Sequence, residues 1–495
     1  MKELKLGIAG LGVVAQGLLN IIKNNGQLIA ERTGILLKVV RVASRSEKPE
    51  IDLLGASFSM SVEDLWQDSD VDVVVELIGG VGTAKDLIVN SLVNGKKVAT
   101  ANKAVIALHG NELLNEETIS RLKFEASVAG AIPIIQMLQK ALVANQFSQI
   151  IGIINGTCNY ILTAMQEKSL SFDSALQEAQ ELGFAEADPS FDIEGIDAAH
   201  KLTIILALAY GIKFDFEKIY VEGITSIAEG DIQYAKELGY QIKHVGIIKN
   251  EGQLLEARVH PALIPSDQLL ASVLNEQNAV HVKGDSSGDM LFSGPGAGSL
   301  PTASAVVSDL VAFATDAERQ ITGINEDEAA DKSSFELVSM DSVCVPHYLR
   351  IPAQDKPGIM AKITSILSEL DISIEAVIQK EPSGSSRHVS IVILTNAVKD
   401  NQVEMFLVLT KHKFDFQDDG SVRLILDFRA RLESVLLDRR SDVLFSPEVI
   451  ARRDEREKRI RDIIASRESL SEQKKDNCKD ISDGIKTLKQ SYEET

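Results

Sequence analysis

"GIAGLGVVAQG", residues 7–17, follows directly on an apolar run from Leu4 to Ala9 and leads into a helical pattern. Gly10, Gly12 and Ala15 match the spacing G-x-G-x-x-G/A. The first glycine of that pattern permits a tight turn, the second lets the backbone approach a pyrophosphate, and the small third residue lets helix pack on strand. An anion there lies on the uncompensated N–H groups of a helix N-terminus, so Gly10, Leu11, Gly12, Val13 and Val14 are the expected cradle of a dinucleotide. Further strand-like runs follow at 37–44, 71–78 and 96–101, alternating with helical segments. That alternation predicts an N-terminal Rossmann-type, doubly wound parallel sheet over residues 1–135, completed by a helix at about 301–320.

In such sheets an acidic residue at the end of the second strand binds the ribose of NAD. Here that position offers Ser44 and Arg45. A guanidinium suits a 2′-phosphate, which favours NADP, with NAD still possible; an exposed arginine ending a strand accounts for the residue equally well.

The chain has 495 residues, 44% of them hydrophobic, which exceeds one ordinary core and predicts two or three domains. A net charge of -21 repels phosphate backbones and anionic membrane surfaces, so neither nucleic acid nor membrane is an expected partner. Cys158, Cys344 and Cys478 are scattered without metal-site or disulfide spacing. No signal peptide and no long apolar stretch is apparent, so a cytoplasmic protein is expected.

A second α/β unit is expected over 136–322, with a helix at 196–210 and a strand at 254–260. A polar linker follows at 323–346. From 347 to 429 the runs "YLRIPAQ", "ISIEAVIQKE", "RHVSIVILTN" and "VRLILDF" read as strands, with helical patterns after the first and third, giving a ferredoxin-like βαββαβ unit. Ile359, Ile363, Ile366, Leu367 and Leu370 keep a helical stripe in its first helix. Residues 430–495 alternate charges too densely to make a core and are expected to be a charged, partly helical or disordered tail.

Two segments carry chemistry. "VATANKAVIA" places Thr100, Asn102 and Lys103 at the carboxyl end of the fourth strand, where open α/β sheets bind ligands. The stretch 183–208, "GFAEADPSFDIEGIDAAHKLTIILAL", holds five carboxylates in its first fifteen residues and then one cation, Lys201, in an apolar helix. Asp197 and Lys201 are four apart and share a helix face. An exposed helix pair would have this spacing, but a helix apolar nearly all round is buried, and a buried lysine is paired or does proton chemistry.

In register and in this order, "GIAGLGVVAQG", "TANKAVIA", "FEASVAGAIPII", "NGTCNYIL", 183–208 and "GPGAGSLPTASAVVSDL" resemble homoserine dehydrogenase, over about residues 4–320. The third unit, with "DKPGIM" at 355–360, resembles the ACT regulatory domain that ends many of these enzymes. With the nucleotide-binding strand at the start, no aspartate-kinase fusion is expected. The resemblance implies reversible hydride transfer between L-aspartate 4-semialdehyde and L-homoserine, a step toward threonine, methionine and isoleucine. It makes Lys201 the proton donor to the developing alkoxide and Lys103 the residue that orients the substrate beside the nicotinamide. Glu186 and Asp197 become ligands of the homoserine amino group. Thr100, Lys103, Gly183, Glu186, Gly296 and Gly298 join the cofactor contacts, with Pro301 opening a helix after them. Backbone oxygens of Glu125, Val128, Gly130 and Ile132 become the ligands of a structural monovalent cation such as sodium, although a small-residue turn has the same composition. A homodimer or homotetramer with L-threonine as feedback inhibitor is implied as well.

Two other readings compete. Cys158 could be a nucleophile forming a thiohemiacetal, which needs an activated thiolate and a base, and no histidine has suggestive spacing to it. Alternatively the dehydrogenase domains are inactive and the ACT unit acts as a sensor. The intact Gly10, Gly12, Lys103, Glu186, Asp197 and Lys201 argue against that. Ala15 in place of a third glycine and the long charged tail depart from the family pattern; the fingerprint tolerates the first.

Overall fold

Six strands, β1 (Lys2–Ala9), β2 (Ile35–Ala43), β3 (Ser57–Ser59), β4 (Val73–Glu76), β5 (Lys97–Thr100) and β6 (Leu122–Lys123), pair in parallel in the order β3-β2-β1-β4-β5-β6. This computed structural model describes residues 1–315, 335–354, 356–379, 388–413 and 428–432. The strand order reverses between β1 and β4, and such switch points place ligands at the carboxyl ends of the strands. Gly10 lies there with φ 98°, and a Cβ on it would meet the Leu77 carbonyl oxygen at 2.8 Å, so both conformation and space require glycine. The helix Val13–Thr33 packs against the helix Ser299–Thr315, as expected for the completion of this domain. They come close at Gly17, where a Cβ would lie 2.4 Å from the Ser299 carbonyl oxygen. The end of the expected 301–320 helix lies outside the described residues.

The second sheet begins with β7 (Phe147–Ile153). It continues with β8 (Tyr220–Val221), β9 (Tyr240–Glu251), β10 (Leu254–Pro265), β11 (Gln277–Gly284) and β12 (Gly288–Pro295), in the path β12-β11-β7-β9-β10. The helices Gly156–Lys168 and Ile196–Tyr210 pack on it and carry the candidate site. Short strands β8 and β13 (Glu336–Leu337) add to β10, and β14 (Cys344–Val345) pairs separately with β18 (Val398–Lys399).

The third unit is β15 (His347–Gln354), a helix Ile359–Glu369, β16 (Ile374–Gln379), β17 (His388–Thr395), a helix Asp400–Lys413 and β19 (Phe428–Leu432). Its strands run in the order β19-β15-β17-β16, the arrangement of a ferredoxin-like βαββαβ sheet. Ile359, Ile363, Ile366 and Leu367 are buried in its core, with Leu370 packed against them. The expected strand 422–428 lies outside the described residues except for Phe428. Half of the expected linker, 323–334, and the charged tail after Leu432 lie outside them too.

The sheet of this unit is continuous with the second sheet, because β19 pairs in parallel with β10 through Ala262↔Arg431 and Leu263↔Leu432. Arg431 is fully buried at that seam. Its guanidinium donates to Glu222 Oε2 at 2.9 Å and to Asp400 Oδ1 at 2.9 Å, and stacks on the Tyr220 ring. Alongside, buried Asp231 accepts from the Tyr348 hydroxyl at 2.8 Å and from Arg350 Nε at 2.7 Å. Buried charges persist only when paired in this way.

Lys243 on β9 is buried without such a match: its Nζ donates to the Val273 carbonyl at 2.5 Å and to Asn159 Oδ1 at 3.2 Å. Burial pushes its ammonium down to about 8 from an ordinary 10.5. Between those values the unfolded chain holds a proton that the folded one has shed, so this residue's contribution to stability rises with pH. Chemical unfolding of the wild type and of Lys243→Met from pH 8 to 10.5 should show the rise in the wild type only; parallel curves would contradict the assignment.

Candidate active site

The helix Ile196–Tyr210 is bounded by two left-handed glycines, Gly195 with φ 88° and Gly211 with φ 66°. Every residue from Asp197 to Ala207 is buried, so the exposed-pair explanation of Asp197 and Lys201 does not apply. Lys201 Nζ donates to Asp197 Oδ2 at 2.7 Å and to the carbonyl of Ile154, at the end of β7, at 2.8 Å. From the other domain Lys103 Nζ reaches Asp197 Oδ1 at 2.5 Å. One carboxylate therefore binds both lysines that the sequence singled out. Glu186 lies exposed on the loop beside them, near enough for its charge to act on Lys103.

Lys103 is the first residue of the helix Lys103–Leu113, where a cation opposes the helix dipole. A chain of contacts holds it there. Asn102 caps the helix through Val105 N at 3.2 Å and ties to the Gly80 carbonyl at 2.7 Å. The Asn102 N–H donates to Thr100 Oγ1 at 2.9 Å, and the Thr100 hydroxyl donates to buried Glu76 Oε2 at 2.5 Å. Thr100 thus serves as a support under this turn. The Phe191 ring lies 5.8 Å from Lys103 Nζ and stacks on His200, itself packed on Phe216.

The two lysines differ electrostatically. Burial, reinforced by Lys103, pushes the Lys201 ammonium below its ordinary value despite the pull of Asp197. Burial works the same way on Lys103, but Asp197, Asp192 and Glu186 outweigh it and hold that ammonium above its ordinary value. Asp197 is buried, yet the attraction of Lys201 and Lys103 keeps its carboxyl well below the usual range. His200 is pushed down to about 4 by burial, so it is neutral at physiological pH. The site thus pairs a lysine pushed toward losing its proton with one pushed toward keeping it.

Asn155 and Asp192, given no role at the sequence level, enter the site. Asn155 Nδ2 donates to Asp192 Oδ1 at 2.7 Å and to Asp197 Oδ2 at 2.9 Å. An asparagine just before a helical run is a capping signal, and Asn155 does cap Gly156–Lys168 through Cys158 N at 2.8 Å. Its link to two carboxylates leaves no pattern in sequence. Cys158 is fully buried, its Sγ donates to the Asp192 carbonyl at 3.2 Å, and burial with Asp192 and Asp197 pushes its thiol well up. Such a thiol is the opposite of an activated nucleophile.

At the nucleotide fingerprint, no side chain among the described residues caps the N-terminus at Gly12, and a Cβ there would meet open space. The N–H groups of the first turn, with exposed Val13 and partly buried Val14, are free for an anion. Arg45 is exposed beyond the end of β2, and Lys48, which the sequence reading passed over, donates to the Leu11 carbonyl at 3.0 Å. These residues fit a dinucleotide. Gly183 and Gly298 have φ of 77° and 117° in exposed turns. Gly296 is explained by packing, since a Cβ would lie 2.1 Å from the Asn278 side chain. Pro301 lies within the first turn of the helix Ser299–Thr315 and does not open it; its missing N–H is harmless there.

Glu125, Val128, Gly130 and Ile132 belong to one tight loop in which Ala129 and Gly130 both have positive φ, of 55° and 57°. The Glu125 carboxylate accepts from Ile135 N and Gln136 N, both at 2.9 Å, and its N–H donates to Asp309 Oδ2 at 2.9 Å. Burial pushes Glu125 up to about 7 and Asp309 well up. The loop is buried, and the carbonyl oxygens of Glu125 and Ile132 accept the N–H groups of Val128 at 3.3 Å and Ile134 at 2.8 Å.

Comparison with known proteins agrees with this geometry. Residues 10–125 match the model for the homoserine dehydrogenase NAD-binding domain, 133–311 the homoserine dehydrogenase model and 347–404 the ACT domain model. The homoserine dehydrogenase of Pseudomonas aeruginosa is 44% identical over 411 residues, covering 81% of this chain and 94% of that protein. That of Bacillus subtilis is 40% identical over 400 residues, covering 80% and 92%. A crystal structure of a Thiobacillus denitrificans homoserine dehydrogenase superposes with a TM-score of 0.79 at 42% identity, covering 88% of this chain and 99% of that one. A hyperthermophilic archaeal homoserine dehydrogenase solved in complex with NADPH superposes with a TM-score of 0.53 at 26% identity, over 64% of this chain and 99% of that one. No helix among the described residues is long and apolar enough to cross a membrane. The nucleotide-binding, catalytic and ACT units, matched in order along most of the chain, place it in the homoserine dehydrogenase family of NAD(P)-dependent oxidoreductases.

Proposed function

We propose that this chain interconverts L-homoserine and L-aspartate 4-semialdehyde with NADP(H), on the path to threonine, methionine and isoleucine, and that Lys201 moves the proton. The observation that carries the reading is buried Asp197 holding buried Lys201 at 2.7 Å and half-buried Lys103 at 2.5 Å. The bound nicotinamide supplies hydride exchange with the carbinol carbon. In oxidation Lys201 takes the hydroxyl proton as the C–O bond becomes a carbonyl; in reduction it returns that proton to the alkoxide. Burial lowers the Lys201 ammonium, which favours giving up its proton in reduction, and Asp197 holds the group in place to take the proton back in oxidation. Lys103, kept charged, polarises and orients the substrate oxygen. Glu186 and Asp197 form the anionic side of the site facing the substrate amino group, Asp197 doing so while it anchors both lysines.

Arg45 and Lys48 favour NADP over NAD, and the NADPH complex of the archaeal relative supports the choice. Carbonyl oxygens of Glu125, Val128, Gly130 and Ile132 are proposed to hold a structural sodium ion. We assign the ACT unit to feedback control by L-threonine, in a homodimer or homotetramer, and the protein to the cytoplasm. Purified protein mixed with L-homoserine and either nucleotide, followed at the nicotinamide absorbance, tests the activity. Turnover with a lower KM for NADP is expected; no turnover with either nucleotide would leave only the sensor reading. Threonine should lower the rate or shift thermal unfolding, and a null result on both would remove it as the effector.

A further inference from the structure

Asn155 stands where the charges of the site meet. Its backbone follows Ile154, whose carbonyl holds Lys201, and its side chain is buried with only 3% exposure. The orientation of its amide is settled by the network. Oδ1 accepts the Cys158 N–H at 2.8 Å, which leaves both hydrogens of Nδ2 for the two carboxylates, at 2.7 Å to Asp192 and 2.9 Å to Asp197. The reverse orientation would set a carbonyl oxygen against two anions. Every hydrogen the amide carries is therefore used on a carboxylate. The Asp197 oxygen it touches is the one that binds Lys201.

Like charges in one site destabilise each other. Asp192 and Asp197 do so here, and the amide opposes this by stabilising both as anions. The groups acting on Lys201 come from every side: Asp197 on its own helix, Lys103 on the facing helix, Asp192 on the short helix Ser190–Ile193 and Cys158 on the capped helix. Glu186 and His200 act at one remove, through Lys103 and Asp197.

We propose that Asn155 is a positioning residue for the proton transfer: its amide bridges Asp192 and Asp197 and thereby fixes the carboxylate oxygen that aims and charges Lys201. The inference rests on Lys201 being the proton-transfer group. The test is Asn155→Asp. It keeps an oxygen to cap the helix but replaces the two donors with a third negative charge. Added negative charge raises the pKa of a nearby lysine. Homoserine oxidation needs neutral Lys201, so the acid limb of kcat/KM should move to higher pH by about one unit, with kcat down about tenfold or more. KM for NADP should stay unchanged. A merely structural asparagine would alter thermal stability and leave the pH limb in place, and that outcome overturns the proposal. If Asn155→Asp does not fold, Asn155→Ser, which still caps but cannot span two carboxylates, decides. A loss of kcat of about tenfold or more at unchanged KM for NADP supports the bridge; anything smaller overturns it. If Lys201→Ala is fully active, the underlying site reading has failed instead, whatever the Asn155 variants do.

Discussion

Lys201→Ala is expected to lose about 10²–10⁴ in kcat while NADP still binds with wild-type affinity. The substitution removes the group that exchanges the hydroxyl proton, and Lys201 makes its contacts with Asp197 and Ile154, away from the fingerprint at Gly10–Val14. Lys103 cannot stand in, because its carboxylate neighbours hold its proton on. Steady-state oxidation of homoserine, with nucleotide titration measured separately, checks the two halves. Normal turnover in the variant would remove Lys201 from the mechanism; lost nucleotide binding would mean that the effect is structural.

Asp197→Ala should be the most destabilising single change in the site. It leaves Lys103 and Lys201 facing each other without the carboxylate that bonds both, and removing one partner of a buried ion pair, here Asp197 with Lys201, costs about 3–5 kcal/mol. Because the folded-state carboxyl is depressed, its contribution is fully present above the ordinary aspartate value of 3.8 and is lost as pH falls from there toward the folded value. The stability gap between wild type and variant should therefore be constant near neutrality and narrow in acid. Adding Lys103→Met to Asp197→Ala should recover part of the loss, since it removes one of the two repelling charges. Denaturant unfolding measures all three proteins; equal stability of wild type and Asp197→Ala at pH 7 would contradict the ion-pair account.

Much of this was legible before any coordinates. The glycines of residues 7–17 announced a strand, a turn and a nucleotide-binding helix because only absent side chains fit there, and Gly10 bears this out. The helix at 196–210 was readable to the residue, since its apolar character stops at a glycine on each side. Asp197 and Lys201 declared themselves by helical spacing, but their roles came from resemblance to a family and not from periodicity. The approach of Lys103 to Asp197 joins residues 94 positions apart in two domains, and no local pattern encodes it. Asn155 was hidden behind an ordinary capping position. The pairing of β19 with β10 rests on two registered pairs, too few to show in an alternation pattern. Lys48 lies five residues past the end of β2 at Ala43, outside the position that the nucleotide-binding pattern marks.

The claim at the centre is that Lys201 touches the reacting oxygen. A crystal structure of the ternary complex with L-homoserine and an unreactive NADP analogue addresses it directly. Lys201 Nζ should lie about 2.6–3.2 Å from the substrate hydroxyl, with Lys103 on the same side and the carbinol carbon facing the nicotinamide. A hydroxyl bound elsewhere, with Lys201 still engaged only by Asp197 and the Ile154 carbonyl, would contradict the account.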